Sequence, residues 1–398
     1  MSGGTLRALP PDGRLLLLTR FIRLFGYGAL SVVLVLYLTG LGIGTQQIGL
    51  LLTLTLVGDT AVSFWLSTRA DRIGRRRMLV LGAALMAAAG IAFALTRNFL
   101  TLLVAATIGV ISPSGSEVGP FLPIEQAALA HVVPSDRRPG VFAWYTLTGA
   151  FATALGSLAA GVLSRPLHYR GIVFLYAALG IVLALAFTRL STAAEVAAPQ
   201  TRALLGLSRS RSVVLRLATL FALDSFAGGF VVQSFAAYWF YLRFDVEPAT
   251  LGAIFFGANV LAGISALVAS RLAARFGLIR TMVFTHLPSN VLLILVPLMP
   301  SLPLAVAVLF ARFSISQMDV PTRQAYLMAV VTPEERSAAG GITGVARTIG
   351  AGLAPLFAGL LFAQPSLINA PFFIAGTLKI VYDLLLYRGF GQSKPSPS

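Results

Sequence analysis

The sequence predicts an all-α integral membrane protein with twelve transmembrane helices, arranged as two pseudo-symmetric six-helix bundles. Composition, the spacing of the apolar runs and an internal repeat carry that expectation. Of 398 residues, 57% are hydrophobic and 11% charged, and the mean hydropathy is +0.85. A soluble domain is about 45–50% apolar and about 25% charged, so a soluble enzyme and a disordered chain are both excluded. The apolar residues run through the whole length, which excludes a receptor with one span. Lipid is the solvent that fits, and a helix crossing it needs roughly 20 mostly apolar residues. At about 33 residues per span and connection, the chain holds about twelve.

Breaking the chain at charge clusters and at Gly, Pro and Asn turns gives candidate spans 1 to 12 at residues 17–40, 47–68, 78–96, 101–130, 141–163, 171–189, 215–240, 250–270, 281–300, 303–329, 338–363 and 370–388. Span 1 is flanked and interrupted by Arg14, Arg20 and Arg23 and has no small-residue cleavage site, so it reads as a retained helix. Residues 190–214 form the only long polar connection, rich in Ala, Ser, Thr and Arg. They read as a cytoplasmic linker between an N-terminal bundle, 1–189, and a C-terminal bundle, 215–398. Shifting the sequence by 198 residues lays 123–163 over 321–361 with 12 identities in 41 positions. These include Pro123/Pro321, Gln126/Gln324, Arg138/Arg336 and Gly161/Gly359. Spans 4 and 5 are thus counterparts of spans 10 and 11, the duplicated build of many secondary transporters.

The formal net charge of +16 reports orientation rather than a nucleic-acid partner. The basic residues cluster between apolar runs instead of forming a stripe on a soluble domain. With both termini on one side, that side's loops and tails hold twenty Lys and Arg, and the other side holds only Arg97, Arg165, Arg170 and Arg243. The bias predicts a multi-pass protein of the cell (inner) membrane with both termini in the cytoplasm. There is no cysteine, and the three histidines, His131, His168 and His286, are scattered. Thiolate chemistry is therefore excluded, and neither a metal site nor a cofactor is expected.

Residues 67–78 read S-T-R-A-D-R-I-G-R-R-R-M. Gly74 permits a tight turn between antiparallel helices. Asp71 sits near a helix C-terminus, where the macrodipole disfavours an anion, and so needs a cationic or N–H partner. Arg76 and Arg77 read as contacts to anionic lipid headgroups. A degenerate copy, S-R-L-A-A-R-F-G-L-I-R, occupies 270–280 between spans 8 and 9 and keeps Ala273, Arg275 and Gly277.

This loop resembles that of the major facilitator superfamily, whose pattern between helices 2 and 3 is Gly-x-Leu-Ala-Asp-Arg-x-Gly-Arg-Arg/Lys. Ala70, Asp71, Arg72, Gly74, Arg75 and Arg76 match it, while Ser67 and Arg69 depart from it. The resemblance covers nearly the whole chain and implies the superfamily's fold. It also implies a cavity lined by spans 1, 4, 7 and 10, and a latch of the outward-facing state in which Asp71, on the loop that carries Arg72, Gly74 and Arg75, meets a partner from the other half-bundle. Drug–proton antiporters of the superfamily carry a Gly-Pro in helix 5; span 5 has Gly149, Gly156 and Gly161 but no proline.

Away from the loops stand six acids, Asp59, Glu117, Glu125, Asp224, Asp319 and Asp383, and six bases, Arg20, Arg23, Arg312, Arg323, Arg347 and Lys379. A charge at the bilayer centre costs at least about 2.5–3.5 kcal/mol, so such residues pair, line a wet cavity or snorkel to an interface. Arg20, Lys379 and Asp383, near helix ends, read as snorkelling. Span 4 is broken by I-S-P-S-G-S-E-V-G-P-F-L-P-I-E-Q at 111–126, the kind of backbone tolerated where it is protein-buried or lines a cavity. Asp319 and Arg323, four apart on span 10, share a face. Glu125 aligns with Arg323 in the repeat, which suggests a pair across the cavity. Arg23, Glu117, Glu125, Asp224, Arg312, Asp319 and Arg323 are therefore the candidate substrate or proton site. Asp59 and Arg347 join the latch or a proton relay.

These features predict a secondary active transporter, working as a monomer by alternating access and coupled to protons through Glu117, Glu125 or Asp224. Several arginines in the cavity favour an anionic or zwitterionic small organic solute. Family frequency favours export. No nucleotide-binding loop G-x-x-x-x-G-K-[ST] is present, and no catalytic constellation marks an enzyme. The alternative is a transporter-like sensor or scaffold that binds a ligand without moving it.

Overall fold

The computed structural model describes residues 9–134, 137–195, 210–332 and 335–390, with the side chains of Asp71, Pro139, Pro166 and Ser337 outside that description. The described residues are helical nearly throughout. Eleven helices are long and apolar enough to cross a membrane, and Phe99–Ile108 is a shorter apolar helix. Large apolar side chains such as Leu95, Leu100, Val162 and Leu185 are exposed by more than 60%, the outward face that lipid covers.

Local chemistry sets the helix ends. Pro11 begins span 1, observed as Pro11–Gly40, at a position where its missing N–H is harmless. Asn98 begins Phe99–Ile108, its side chain accepting from Thr101 N at 3.0 Å. Span 2 (Thr45–Ile73) and span 3 (Arg75–Leu95) are separated by Gly74 alone, at φ 117°. Span 8 (Pro248–Phe276) and span 9 (Leu278–Leu295) are separated by Gly277 alone, at φ 86°. A side chain would be strained at either turn, so the motif and its degenerate copy keep the residue their backbone requires. Spans 5 and 6 run as one helix, Arg138–Phe187, broken at His168.

Three spans are broken within their length. Span 4 consists of Phe99–Ile108 and Phe121–Val132 joined by irregular backbone; span 7 of Arg211–Gly229 and Gln233–Phe244; span 10 of Leu302–Ser316 and Asp319–Val330. The expected break in span 4 is longer than a proline kink, since residues 109–120 lie outside any helix.

The chain forms two compact units. Unit 1 takes Met1–Gly44, Leu54–Thr201 and Ala236–Phe256; unit 2 takes Thr45–Thr53, Arg202–Phe235 and Gly257–Ser398. The core of unit 2 joins spans 7, 9, 10 and 12 through Leu217, Phe221, Met282, Tyr326, Tyr382 and Leu386. Each unit also contains one glycine crossing between spans of different sequence halves. In unit 1, a Cβ on Gly161 would lie 2.9 Å from Ala249 O and 3.0 Å from Gly252 Cα. In unit 2, a Cβ on Gly49 would lie 2.6 Å from Pro355 O and 3.0 Å from Gly359 Cα. Small residues let helix backbones approach this closely.

Candidate functional site

The break in span 4 builds the site of unit 1. Its prolines and glycines free backbone groups that need partners at membrane depth. Tyr176 Oη donates to Val110 O (2.6 Å), Tyr27 Oη to Val118 O (3.2 Å) and Thr153 Oγ1 to Gly115 O (3.3 Å). Gly119 N, at φ 81°, donates to Asp59 Oδ1 at 2.6 Å, and Ser63 Oγ donates to the same oxygen at 3.3 Å. Asp59 therefore holds the broken backbone in place.

That backbone presents Glu117 to span 1, and the helix that resumes at Phe121 presents Glu125. Arg20 Nη1 lies 2.6 Å from Glu117 Oε2, and Arg23 Nε 3.0 Å from Glu117 Oε1. Arg23 also grips Glu125 with two parallel bonds, Nη1–Oε1 at 2.7 Å and Nη2–Oε2 at 2.9 Å, the planar fork suited to arginine. Thr19 Oγ1 donates to Glu125 Oε1 at 3.1 Å, and Tyr145 Oη donates to Glu125 Oε2. Arg23 and Glu125 are fully buried. The Arg20 guanidinium lies over the Tyr145 ring, 3.9 Å from its centre. Gly149 makes room for it: a Cβ there would meet Arg20 Nε at 2.7 Å.

Unit 2 repeats the scheme with the charges exchanged. Span 7 carries the acid, Asp224, and span 10 the base, Arg323, with Nη1–Oδ2 at 2.8 Å. Lys379 Nζ lies 2.5 Å from Asp224 Oδ1, and Asp319 Oδ2 lies 3.3 Å from Arg323 Nη1. On spans 9 and 12, His286 Nδ1 lies 2.8 Å from Asp383 Oδ1, and Asn290 Nδ2 donates to Asp383 Oδ2 at 2.9 Å. Arg312 and Arg347 stand near this cluster, but neither makes a hydrogen bond or ion pair among the described residues, and the Nε of each is buried without a partner.

The cross-cavity pair suggested by the repeat is replaced by a different arrangement. Glu125 is saturated by Arg23, Thr19 and Tyr145, while Arg323 meets Asp224 and Asp319 through Nη1, each inside its own unit. The snorkelling reading also fails for three residues. Arg20 and Lys379 are each 8% exposed and Asp383 is fully buried, and each has a polar partner inside the protein. The sequence reading missed Tyr145, His286 and Asn290. His286 and Asn290 are four apart on one helical face, as are Lys379 and Asp383. Two facing polar pairs in apolar helices were the available signal.

In the loop between spans 2 and 3, the side chain of Asp71 lies outside the described residues, and Arg72 is exposed. Glu195 accepts from the backbone N of Arg75 (2.6 Å) and of Arg76 (3.0 Å), capping span 3 just after Gly74. Arg75 is buried and its Nη1 donates to Ala194 O at 3.2 Å.

The profile of the Major Facilitator Superfamily matches residues 16–316 and 218–398. The uncharacterized membrane protein YJR124C of Saccharomyces cerevisiae is 31% identical over 417 residues, covering 94% of this chain and 93% of that protein. Quinolone resistance protein NorA of Staphylococcus aureus is 26% identical over 162 residues, 41% of this chain and 40% of NorA. A bacterial homolog of the human lysosomal transporter Spinster, in an inward-facing and occupied conformation, superposes with a TM-score of 0.77 at 15% identity, covering 97% of this chain and 98% of that one. Duplicated broken spans, the loop closed by Gly74 and these matches agree: the chain belongs to the major facilitator superfamily and is a multi-pass membrane transporter of the secondary type.

Proposed function

We propose that the solute is a small organic anion or a zwitterion presenting its anionic group to unit 2, and that its movement is coupled to protons. The charge balance of the two units carries this reading. Away from the loops, unit 1 holds two bases, Arg20 and Arg23, against three acids, Asp59, Glu117 and Glu125, and all five have polar partners. Unit 2 holds four bases, Arg312, Arg323, Arg347 and Lys379, against three acids, Asp224, Asp319 and Asp383. The excess cation of unit 2 and the unpaired state of Arg312 and Arg347 describe a place that gains from an anion. Both side chains are half-buried, each with an Nε donor buried and unmet. An unmet donor is costly, and a carboxylate or phosphate oxygen on a guanidinium relieves that cost.

Arg312, Arg323 and Arg347 hold the anionic group in this reading, while Arg23, Glu117 and Glu125 form a closed cluster that shapes unit 1. The loop basic bias supports a cell membrane protein with both termini cytoplasmic. The repeat supports two six-span bundles, 1–189 and 215–398, joined by 190–214, in a monomer. Family frequency and the NorA likeness favour export.

Proteoliposomes given a panel of labelled anionic, zwitterionic and cationic solutes, with and without a pH gradient, test the reading. The expected result is gradient-dependent flux of an anionic or zwitterionic solute. Arg312→Gln and Arg347→Gln should each weaken its binding about tenfold or more, the loss of a charged hydrogen bond worth about 1.5–3 kcal/mol. Flux confined to cations would sink it. Saturable binding with no flux would favour the sensor alternative.

A further inference from the structure

We infer that His286 is a proton-binding site of unit 2, and that the proton it takes up draws Asp224 away from Arg323 and Lys379 and so opens unit 2 to an anion. The inference rests on the anion reading for its consequence and on the geometry of spans 7, 9 and 12 for its site.

His286 is 4% exposed. Its Nδ1 lies 2.8 Å from Asp383 Oδ1, while the other Asp383 oxygen accepts from Asn290. Asn290 Nδ2 also lies 3.1 Å from Nδ1, but it donates to Asp383 Oδ2 at the shorter 2.9 Å. A carboxylate offers only acceptors, so the hydrogen of the neutral ring is assigned to Nδ1, which faces Asp383 Oδ1 at 2.8 Å, and Nε2 is left as a bare acceptor. That nitrogen faces Asp224 Oδ1 at 3.7 Å, beyond hydrogen-bond range, as expected for one acceptor opposite another. A proton on Nε2 reverses the contact, turning it into a charge-assisted hydrogen bond to Asp224. His286 would then lie as an imidazolium between two carboxylates, its ring held edge-on to Tyr382 with centres 5.8 Å apart. No other covalent bond forms or breaks in this step; the proton comes from hydronium in the bulk solvent, which is left as water, and only the contacts of Asp224 rearrange.

Asp224, Asp383 and Tyr382 face His286 directly, and the charged and titratable groups gathered around Asp224 come from four spans other than span 9. Span 7 supplies Asp224; span 10 supplies Arg312, Asp319 and Arg323; span 11 supplies Arg347; span 12 supplies Lys379, Tyr382 and Asp383. Both oxygens of Asp224 are already engaged, Oδ1 by Lys379 at 2.5 Å and Oδ2 by Arg323 at 2.8 Å. A third cationic donor has to displace part of that engagement. It also raises the cation excess of the cluster from one to two. Proton and anion therefore bind with positive cooperativity, and by linkage each strengthens the other by the same factor.

Nitrogen-15 NMR of the full chain in nanodiscs, with labelled histidine, tests the site without any solute. Only three histidines are present, and His131 and His168 are exposed, so removing each in turn as Gln assigns the remaining signal. His286 should carry its hydrogen on Nδ1 at high pH and convert to imidazolium on acidification. Asp224→Asn should displace that conversion toward acid, because it removes a carboxylate that stabilises the charged ring. A ring hydrogen on Nε2 at high pH, no conversion before unfolding, or a conversion unmoved by Asp224→Asn overturns the inference. The second arm uses the solute that the panel above moves. Its affinity should rise at least about threefold on acidification in the wild type and stay flat in His286→Gln; a His286→Gln profile equal to the wild type overturns the coupling. Failure of the panel itself would strike the anion reading and leave the NMR result standing.

Discussion

The two units place an ion pair between the first and fourth spans of their sequence halves, and they write it with opposite polarity. Unit 1 has the bases on span 1 and the acids on span 4; unit 2 has the acid on span 7 and the base on span 10. The difference lies in how completely each is satisfied. Of ten buried side-chain nitrogen and oxygen atoms without a hydrogen-bond partner among the described residues, nine belong to unit 2 and only Arg20 Nε to unit 1. A closed network gains rigidity, whereas an open one keeps unmet hydrogen-bonding capacity that a ligand can use. Unit 1 thus reads as a scaffold and unit 2 as the part that responds to solute and proton.

The sharpest way to break this contrast is to remove the same kind of charge from each side. Glu125→Gln leaves Arg23 fully buried with Glu117 as its remaining carboxylate. Breaking a buried pair by removing one partner costs about 3–5 kcal/mol, so thermal unfolding in nanodiscs should show a large drop for this variant. Exchanging the pair as Arg23→Glu with Glu125→Arg, which rewrites unit 1 in the polarity of unit 2, should recover part of the loss. If Glu125→Gln unfolds at the wild-type temperature, unit 1 is not the closed scaffold described above.

Asp224→Asn is the matching change in unit 2, and a smaller stability effect is expected. Arg323 keeps Asp319 at 3.3 Å, and Lys379 keeps the Asp224 backbone carbonyl at 3.3 Å. The loss should stay below about 3 kcal/mol, the lower edge of the range for a broken buried pair. The variant also removes the acid that ties down Arg323. Affinity for the transported anion should rise at neutral pH and lose most of its pH dependence. A titration by scintillation proximity binding reads this, and weaker binding would reverse the role given to Asp224.

The fold was legible in the sequence because apolar run length, basic loop bias and the repeat are all set by the bilayer rather than by contacts. The individual charges were also legible as unusual. One pair was legible too, Asp319 with Arg323, four apart on one helix and 3.3 Å from each other. Partners on different spans were not, because the repeat relates positions by symmetry while pairing follows proximity, and Glu125 finds Arg23 on the neighbouring span 1. Position near a helix end misled for Arg20, Lys379 and Asp383, since depth in the bundle depends on which face a residue occupies. His286 was passed over as one of three scattered histidines. Its i, i+4 relation to Asn290, facing the same relation between Lys379 and Asp383, becomes informative only when spans 9 and 12 are known to touch.

Asp59 offers a milder test of the closed unit. It supplies the acceptor for Gly119 N at 2.6 Å, a hydrogen bond to a charged group worth about 1.5–3 kcal/mol. Asp59→Ala should lower the unfolding temperature by that measure, and Asp59→Asn by less, because an amide oxygen still accepts. Equal effects of the two would show that charge rather than acceptance matters there, and would return Asp59 to the proton relay first suggested by its depth.

The smallest effect is expected at the start of span 3, where the two units differ in capping. Glu195 accepts from Arg75 N and Arg76 N, satisfying two of the donors that a helix start leaves open. At the corresponding start of span 9, which also opens on a glycine, Gly277, no side chain among the described residues accepts from the amides of residues 278–279 as Glu195 does at span 3. Both turns use a glycine at positive φ, so geometry is shared and only the acid is particular to unit 1. Glu195→Ala should cost about 1 kcal/mol, the usual worth of an N-terminal cap. Deuterium exchange should quicken at the amides of residues 75–76 and remain unchanged at 278–279, which are expected to exchange faster in the wild type. Equal wild-type exchange at the two turns would show that the cap adds nothing to span 3, and the asymmetry between the units would then be confined to their buried charges.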